Sequence, residues 1–477
     1  MTTRALPPIA AALAATAIAL GSGPARANGV FPSAEQIVVD PSDPSHVVVR
    51  TTYGLLTTRE AGEPWDWICE TAVGYSSGFH PSVALTENGT LLAGVTTGVA
   101  IAPGDSCGWS LAPGLPMGAL VVDLSVEKGA LSHAVAITAS NGAGPARLWT
   151  TEDDGATWTQ SGTALPAGFT PLTVDAAPSD PMRVYISAQV STKGSLLVSP
   201  DRGQTWQTFT VPSTSAEHRP FIGAVDPQDP DRVYIRTDGT PGRLFVFDYG
   251  AVTFTEVFTG AGLLRGFALS PDGQTVLVGG GSDGIQRAPA ATLAFEKVSA
   301  VATRCLAWTA AGVYTCATEF ADGFTVGLSK DEGSTFEPVM HLPCVRGPLM
   351  CTPDTPVGAE CPPEWAAVAI QIGKNECPGG SSTGGGGSGP TTGGAGGAGG
   401  AGGTGGGDVL TGGSSATSGG AGGTGATGGS PPAAGGCACA LPRGAPADTS
   451  LLGVSGIAAL AVLFMRGRRR ATPPRNP

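Results

Sequence analysis

Between positions 29 and 342 the chain is built from apolar runs of about four to six residues, broken by polar turns rich in Gly, Pro, Asp and Ser. Runs this short, with β-branched residues and without a 3.6-residue period, predict β-strands rather than helices. One unit shows the pattern: apolar residues 172–176, a turn Pro178-Ser179-Asp180-Pro181, then 183–187, 195–198 and 205–211. The same turn returns as Pro41-Ser42-Asp43-Pro44, as Pro227-Gln228-Asp229-Pro230 and as Pro271-Asp272-Gly273, each ahead of an apolar run.

A fixed period underlies these runs. Residues 151–158 (TEDDGATW), 199–206 (SPDRGQTW) and 329–336 (SKDEGSTF) share Ser/Thr-x-Asp-x-Gly-x-Thr-aromatic, each between two strand-like runs. In such a turn Asp153, Asp201 and Asp331 can accept hydrogen bonds from nearby backbone amides, Gly155, Gly203 and Gly333 can take positive φ, and Trp158, Trp206 and Phe336 plug the layer beneath. Counting outward, the equivalent aromatic falls at Trp65, Trp109, Trp158, Trp206, Phe254, Phe295 and Phe336, in steps of 41 to 49 residues. This predicts an all-β fold, a seven-bladed β-propeller of four-stranded antiparallel blades over 28–342. Six or eight blades are the alternatives, because the first two units are the least regular. A β-sandwich would not space its aromatics so evenly, and the Gly-His and Trp-Asp signatures of WD repeats are absent.

The three turns resemble the BNR or Asp-box repeats of the sialidase-like propellers. The resemblance implies that they join strands three and four on the face opposite the ligand loops, so that their Asp, Gly and aromatic residues are structural.

The two ends add an address. Residues 1–27 carry Arg4, an apolar stretch and a small-x-small site ending at Ala27, the pattern of a secretory signal peptide. Export suits ten cysteines, which outside the cytosol pair rather than persist as thiols. Cys305 and Cys316 fall on neighbouring strands and are expected to bridge, and Cys69 and Cys107 to tie the first two units. Cys344, Cys351, Cys361 and Cys377, in a Pro-rich segment at 343–378, are expected to form a small knot on the last blade, with three pairings open. Residues 379–436 are nearly all Gly, Ser, Thr, Ala and Pro, a flexible tether with an end-to-end distance of roughly 40 Å. Residues 437–477 hold Cys437-Ala438-Cys439, the apolar run 451–465 and Arg466, Arg468, Arg469 and Arg470. This order of parts resembles the MYXO-CTERM sorting signal of myxobacterial surface proteins. It implies processing and lipid attachment at Cys437 with loss of the tail; retention as a membrane-spanning hydrophobic segment is the alternative.

The formal charge is −12. Taking from the totals of 26 and 38 the eight basic residues and one Asp of the two removable ends leaves 18 against 37, a mature charge of −19. A surface this acidic argues against nucleic acid or anionic lipid as partner. No Asp-x-Asp-x-Asp loop, P-loop or Ser-His-Asp order appears, so no metal or cofactor is expected and a monomer is the simplest state.

The loops between strands two and three and the blade-to-blade crossings build the opposite face. They carry Tyr53, Tyr75, His80, Lys193, His218, Arg219, Asp238, Arg243, Arg265, Asp283, Arg304, Glu319 and Asp322. Arg219, Arg265 and Arg304 precede inner strands of successive units and can converge on a carboxylate, with Tyr53 and Tyr75 as further ligand contacts. Asp283, Glu319 and Asp322 are candidate carboxylates for a glycosidase, although acids beside Gly are also what a β-turn demands. The decisive parts of a sialidase, a Phe/Tyr-Arg-Ile-Pro segment and a Tyr-Glu pair, are missing. Other Asp-box relatives include sortilin-type peptide receptors and assembly factors of photosynthetic membranes. The expectation is an exported, surface-anchored binding module for a glycan or protein ligand, with a secreted glycoside hydrolase as the alternative.

Overall fold

The computed structural model describes residues 32–59, 64–76, 78–374 and 377. The expected signal peptide with Ala27, the expected tether and the expected processing site at Cys437 lie outside the described residues. The chain is a seven-bladed β-propeller, each blade a meander of four antiparallel strands taken in order. Blade 1 uses Ala34–Val39, Val47–Thr51, Gly54–Thr58 and Asp66–Ile68; blade 4, the longest, uses Phe169–Ala177, Asp180–Val190, Lys193–Ser199 and Gln207–Thr210; blade 7 uses Cys305–Thr309, Gly312–Cys316, Val326–Ser329 and Glu337–Met340. The first strands of successive blades pack on one another around the centre, and that of blade 7 packs back on that of blade 1, so the ring is closed.

The middle strands are buried on both faces, which is why they are almost wholly apolar: Val47–Thr51, Leu91–Val95 and Ala134–Thr138 are buried throughout. Fourth strands such as Thr159–Ala164 and Gln207–Thr210 face solvent and are polar, whereas that of blade 1, Asp66–Ile68, is buried. Each periodic aromatic stands at the start of a fourth strand, from Trp65 before Asp66–Ile68 to Phe336 before Glu337–Met340. One aromatic per blade recurs because the outermost strand has one position that turns back over the layer beneath.

The three Ser/Thr-x-Asp-x-Gly-x-Thr turns are superposable in their bonding. In the blade 3 turn, the Thr157 amide donates to Asp153 Oδ1 at 2.9 Å, the Thr157 hydroxyl to Oδ2 at 2.6 Å, and the Gly155 amide to Thr151 Oγ1 at 3.1 Å. The set repeats around Asp201 with Thr205, Ser199 and Gly203, and around Asp331 with Thr335, Ser329 and Gly333. Positive φ is taken by the glycine and also by the residue before it, Asp154, Arg202 or Glu332. A Cβ on Gly155 would lie 2.3 Å from Leu92 Cδ2 of blade 2, so the turn also seats its blade on the previous one.

Among the described residues blade 7 is made entirely of consecutive strands, so no described strand of blade 1 completes it. The C-terminal segment closes the ring instead. After blade 7 the chain crosses to blade 1, where Gly347–Pro348 adds a fifth strand parallel to Asp66–Ile68 and the Arg346 guanidinium meets the Asp66 carboxylate, with Nε donating to Oδ1 at 2.7 Å. Helix α3 (Pro356–Gln371) then packs on the short helix α1 (Glu70–Val73). Disulfides fix it there: Cys69 pairs with Cys361 and Cys107 with Cys351. Cys305 pairs with Cys316 as expected, and Cys344 with Cys377.

Two expectations are thereby corrected. Cys69 and Cys107 do not pair with each other, and the 343–378 segment is not a knot on the last blade but a clasp from blade 7 onto blades 1 and 2. The reason is geometric: the segment after blade 7 runs past both early cysteines, Gly347–Pro348 pairing with Asp66–Ile68 beside Cys69 and the Val357 amide donating to Cys107 O at 3.4 Å, so their partners come from separations of 292 and 244 residues.

Candidate functional site

Antiparallel meanders put the second-to-third loops and the blade crossings on one face, and the first-to-second and third-to-fourth turns on the other. The candidate side chains therefore share a face, opposite the three Asp-containing turns, but most are committed to holding it together. In blade 5, Asp238 accepts the Arg219 amide at 2.5 Å through Oδ1 and the Arg219 guanidinium at 2.6 and 2.9 Å through Oδ2. In blade 6, Asp283 accepts the amides of Ala261 and Gly262 at 2.7 and 3.1 Å. In blade 7, Asp322 accepts those of Ala302 and Thr318 at 3.1 and 2.9 Å. Each Asp thus ties its loop to the crossing that enters the same blade, and the glycine after it takes positive φ at Gly239, Gly284 and Gly323. Equivalent positions carry Asp in the same bracket.

The arginines do not meet on one carboxylate. Arg219 is bound to Asp238, Arg304 Nη2 lies 3.5 Å from Glu35 Oε1, and Arg265 is half-buried in the crossing into blade 6, its amide donating to Gly279 O at 2.9 Å. Tyr53 and Tyr75 are buried rather than presented to a ligand, at 4% and 6% exposure, and burial raises both phenol pKa values. Lys193, exposed, opens the third strand of blade 4, and His218 lies in its loop with Nδ1 3.1 Å from Ser215 Oγ.

What the structure does assemble is a charged sector where blades 7, 1 and 2 meet. Glu35, on the first strand of blade 1, is held by Arg50 at 3.0 Å, by His80 Nδ1 at 2.9 Å and by Arg304 at 3.5 Å. Arg50 Nε also donates to Gln36 Oε1, while Gln36 bridges to blade 2 by donating to Val83 O at 2.6 Å. Beside it, Glu319 accepts the Leu342 amide at 3.2 Å and lies 2.9 Å from His341 Nδ1, and a recess of about 30 Å³ is lined by Ser33, Arg304, Thr318, Glu319 and Thr325. Arg50 and Arg304 flank the Glu35 carboxylate, and Arg304, 26% exposed, is the accessible cation, lining the recess together with Glu319. Such a mouth can take a carboxylate or a polar hydroxyl array. Arg304 and His80 were visible as loop residues; Glu35 and Arg50 were hidden inside strands, where only the alternation of an apolar strand broken by a charged residue marks them.

Among the described residues no group of His, Cys, Asp and Glu is arranged to hold a metal, and no helix is long and apolar enough to cross a membrane. No protein-family profile matches the chain, and no curated protein matches it by sequence. Solved structures do. An ancestral GH74 enzyme aligns with TM-score 0.50 and 15% identity over 65% of this chain and 46% of its own. A GH74 enzyme of Niastella koreensis aligns at 0.41 and 13% identity, over 65% of this chain and 53% of its own. The extracellular domain of a hybrid two-component system protein of B. thetaiotaomicron aligns at 0.44 and 13%, over 63% and 38%. The chain thus spans about half or less of each of these proteins. At such identities the likeness is one of fold: this chain is a seven-bladed β-propeller, similar in fold to the ancestral GH74 enzyme.

Proposed function

We propose that the chain is an exported binding module of the Asp-box propeller type, displayed at the cell surface by its tether and C-terminal sorting segment. Its ligand, a glycan or a protein, is taken by the face that carries Glu35, Arg50, His80 and Arg304. One observation carries this over hydrolysis: Asp238, Asp283 and Asp322 are each engaged by backbone amides of the crossing that enters their own blade. A glycosidase needs two carboxylates facing each other across a cleft about 5 to 10 Å wide, with one pKa raised to act as an acid. Four disulfides fit an oxidising compartment and so support export.

The test is a binding and turnover screen of the full chain against sialylated, plant and microbial glycans and against cell-surface protein extracts. Saturable binding without sugar release, weakened about tenfold by Arg304→Ala, is the expected result. Release of sugar that disappears in Glu319→Gln or Asp283→Asn overturns the reading in favour of a hydrolase.

A further inference from the structure

Nearly every arginine of the described residues has its guanidinium engaged. Arg50, Arg183, Arg202, Arg219, Arg243, Arg287, Arg304 and Arg346 meet carboxylates, and Arg59, Arg232 and Arg236 donate to backbone carbonyls. Arg147 differs. Its backbone is fixed, the amide donating to Thr138 Oγ1 at 3.2 Å, but its half-buried guanidinium makes no hydrogen bond or ion pair with any described residue. It lines a cavity of about 80 Å³ on the ligand face of blade 3, between the crossing from blade 2 and the second-to-third loop. No carboxylate lines that cavity, in a chain whose formal charge is −12.

The walls are suited to one kind of guest. Pro116, Pro145 and Trp149 give a rigid apolar surface, the Trp149 indole being held by donation to Thr138 Oγ1 at 3.3 Å. Gln160 contributes an amide whose nitrogen donates to Gly162 O at 3.0 Å, with its oxygen unpartnered among the described residues. Asn141 donates to Gly118 O at 2.9 Å and so ties the loop to the crossing, which keeps the cavity open in the absence of a guest. A volume of this size admits several waters, or one ring edge with a charged substituent. Planar apolar walls with a few polar groups and a planar bidentate cation match a sugar ring bearing a carboxylate.

We infer that the blade 3 cavity is a subsite for a carboxylated sugar, with Arg147 as the carboxylate-binding residue. This rests on the reading of that face as the ligand face and adds to it the class of ligand. The experiment uses the full chain and calorimetric titration with oligomers of glucuronate, galacturonate and mannuronate, their methyl esters and a neutral galactan. An acidic oligomer is expected to bind, with affinity falling about 10- to 100-fold on esterification or in Arg147→Ala and partly kept in Arg147→Lys. Because the Arg147 side chain has no partner, the variant should melt with the wild type, so loss of binding is not loss of fold. Equal binding of ester and acid, indifference to Arg147→Ala, or no binding of any uronate overturns the inference. Glycan or protein binding that depends on Arg304 but not on Arg147 would overturn it while leaving the broader reading intact.

Discussion

Removing the two disulfides of the C-terminal clasp should cost more together than the sum of their separate costs. Cys69–Cys361 and Cys107–Cys351 close loops of 292 and 244 residues, but they are nested. With one intact, the other constrains only the shorter circuit through 69–107 and 351–361, a loop of about 50 residues, for which chain entropy gives about 4 kcal/mol. With both gone, a loop of more than 240 residues is also released, and the total reaches about 10 kcal/mol. The double variant should therefore lose about 2 kcal/mol beyond the two single losses. The assay is guanidinium unfolding of Cys69→Ala/Cys361→Ala, of Cys107→Ala/Cys351→Ala and of the fourfold variant, followed by the fluorescence of buried Trp67 and Trp109. The closure argument adds a local signature: amide exchange should rise first in Ala34–Val39 and Cys305–Thr309, the first strands of blades 1 and 7, which meet at the ring junction. Strictly additive losses, or exchange rising evenly around the ring, would refute the view that the clasp is what closes it.

Three further perturbations have signs fixed by the structure. Glu70 is raised to about 7 by burial and by the Glu364 carboxylate across the α1–α3 contact, so its contribution is full below the ordinary 4.5 and is lost as pH rises through 7. Glu70→Gln should then stabilise the protein by about 1 to 2 kcal/mol at mildly alkaline pH and leave it unchanged in acid, as read from melting temperature against pH. Asp123, buried with Oδ1 unpartnered and Oδ2 accepting the Val174 amide of blade 4 at 2.9 Å, is raised well above 3.8, chiefly by desolvation. Stability it supports below 3.8 is lost as pH climbs towards its raised value, and Asp123→Asn should flatten that slope and add about 1 to 3 kcal/mol at neutral pH; an unaltered pH profile would count against the assignment. Asp331 is held down at about 2 by the Thr335 amide and the Ser329 and Thr335 hydroxyls. Asp331→Ala should cost about 1 to 2 kcal/mol in urea unfolding at neutral pH, and the difference should vanish as pH falls through 2.

The repeat was legible because every blade solves the same local problem. A short apolar strand pair, a Pro-Asp turn and one aromatic at the head of the outer strand are each dictated by neighbours a few residues away, so a period of 41 to 49 residues carried the blade count. The face of the candidate loops was legible for the same reason, since strand alternation fixes which turns share a side. Their roles were less so. Asp238, Asp283 and Asp322 look identical as turn acids and as catalytic acids until the crossing that each one grips is in place, because the amides they accept belong to segments 19 to 22 residues earlier.

By itself, then, the sequence determined the fold: local hydrogen bonding and burial repeat seven times, and a ring follows from identical units that each hide one face on the next. Only the tertiary structure decided how the ring is locked and where its charge gathers. The partners of Cys69 and Cys107 lie at the far end of the chain, and Glu35 meets Arg304 across 269 positions, where the first blade touches the seventh. Contacts made by closure leave no periodic trace, because they occur once, between segments whose proximity exists only after the ring has formed.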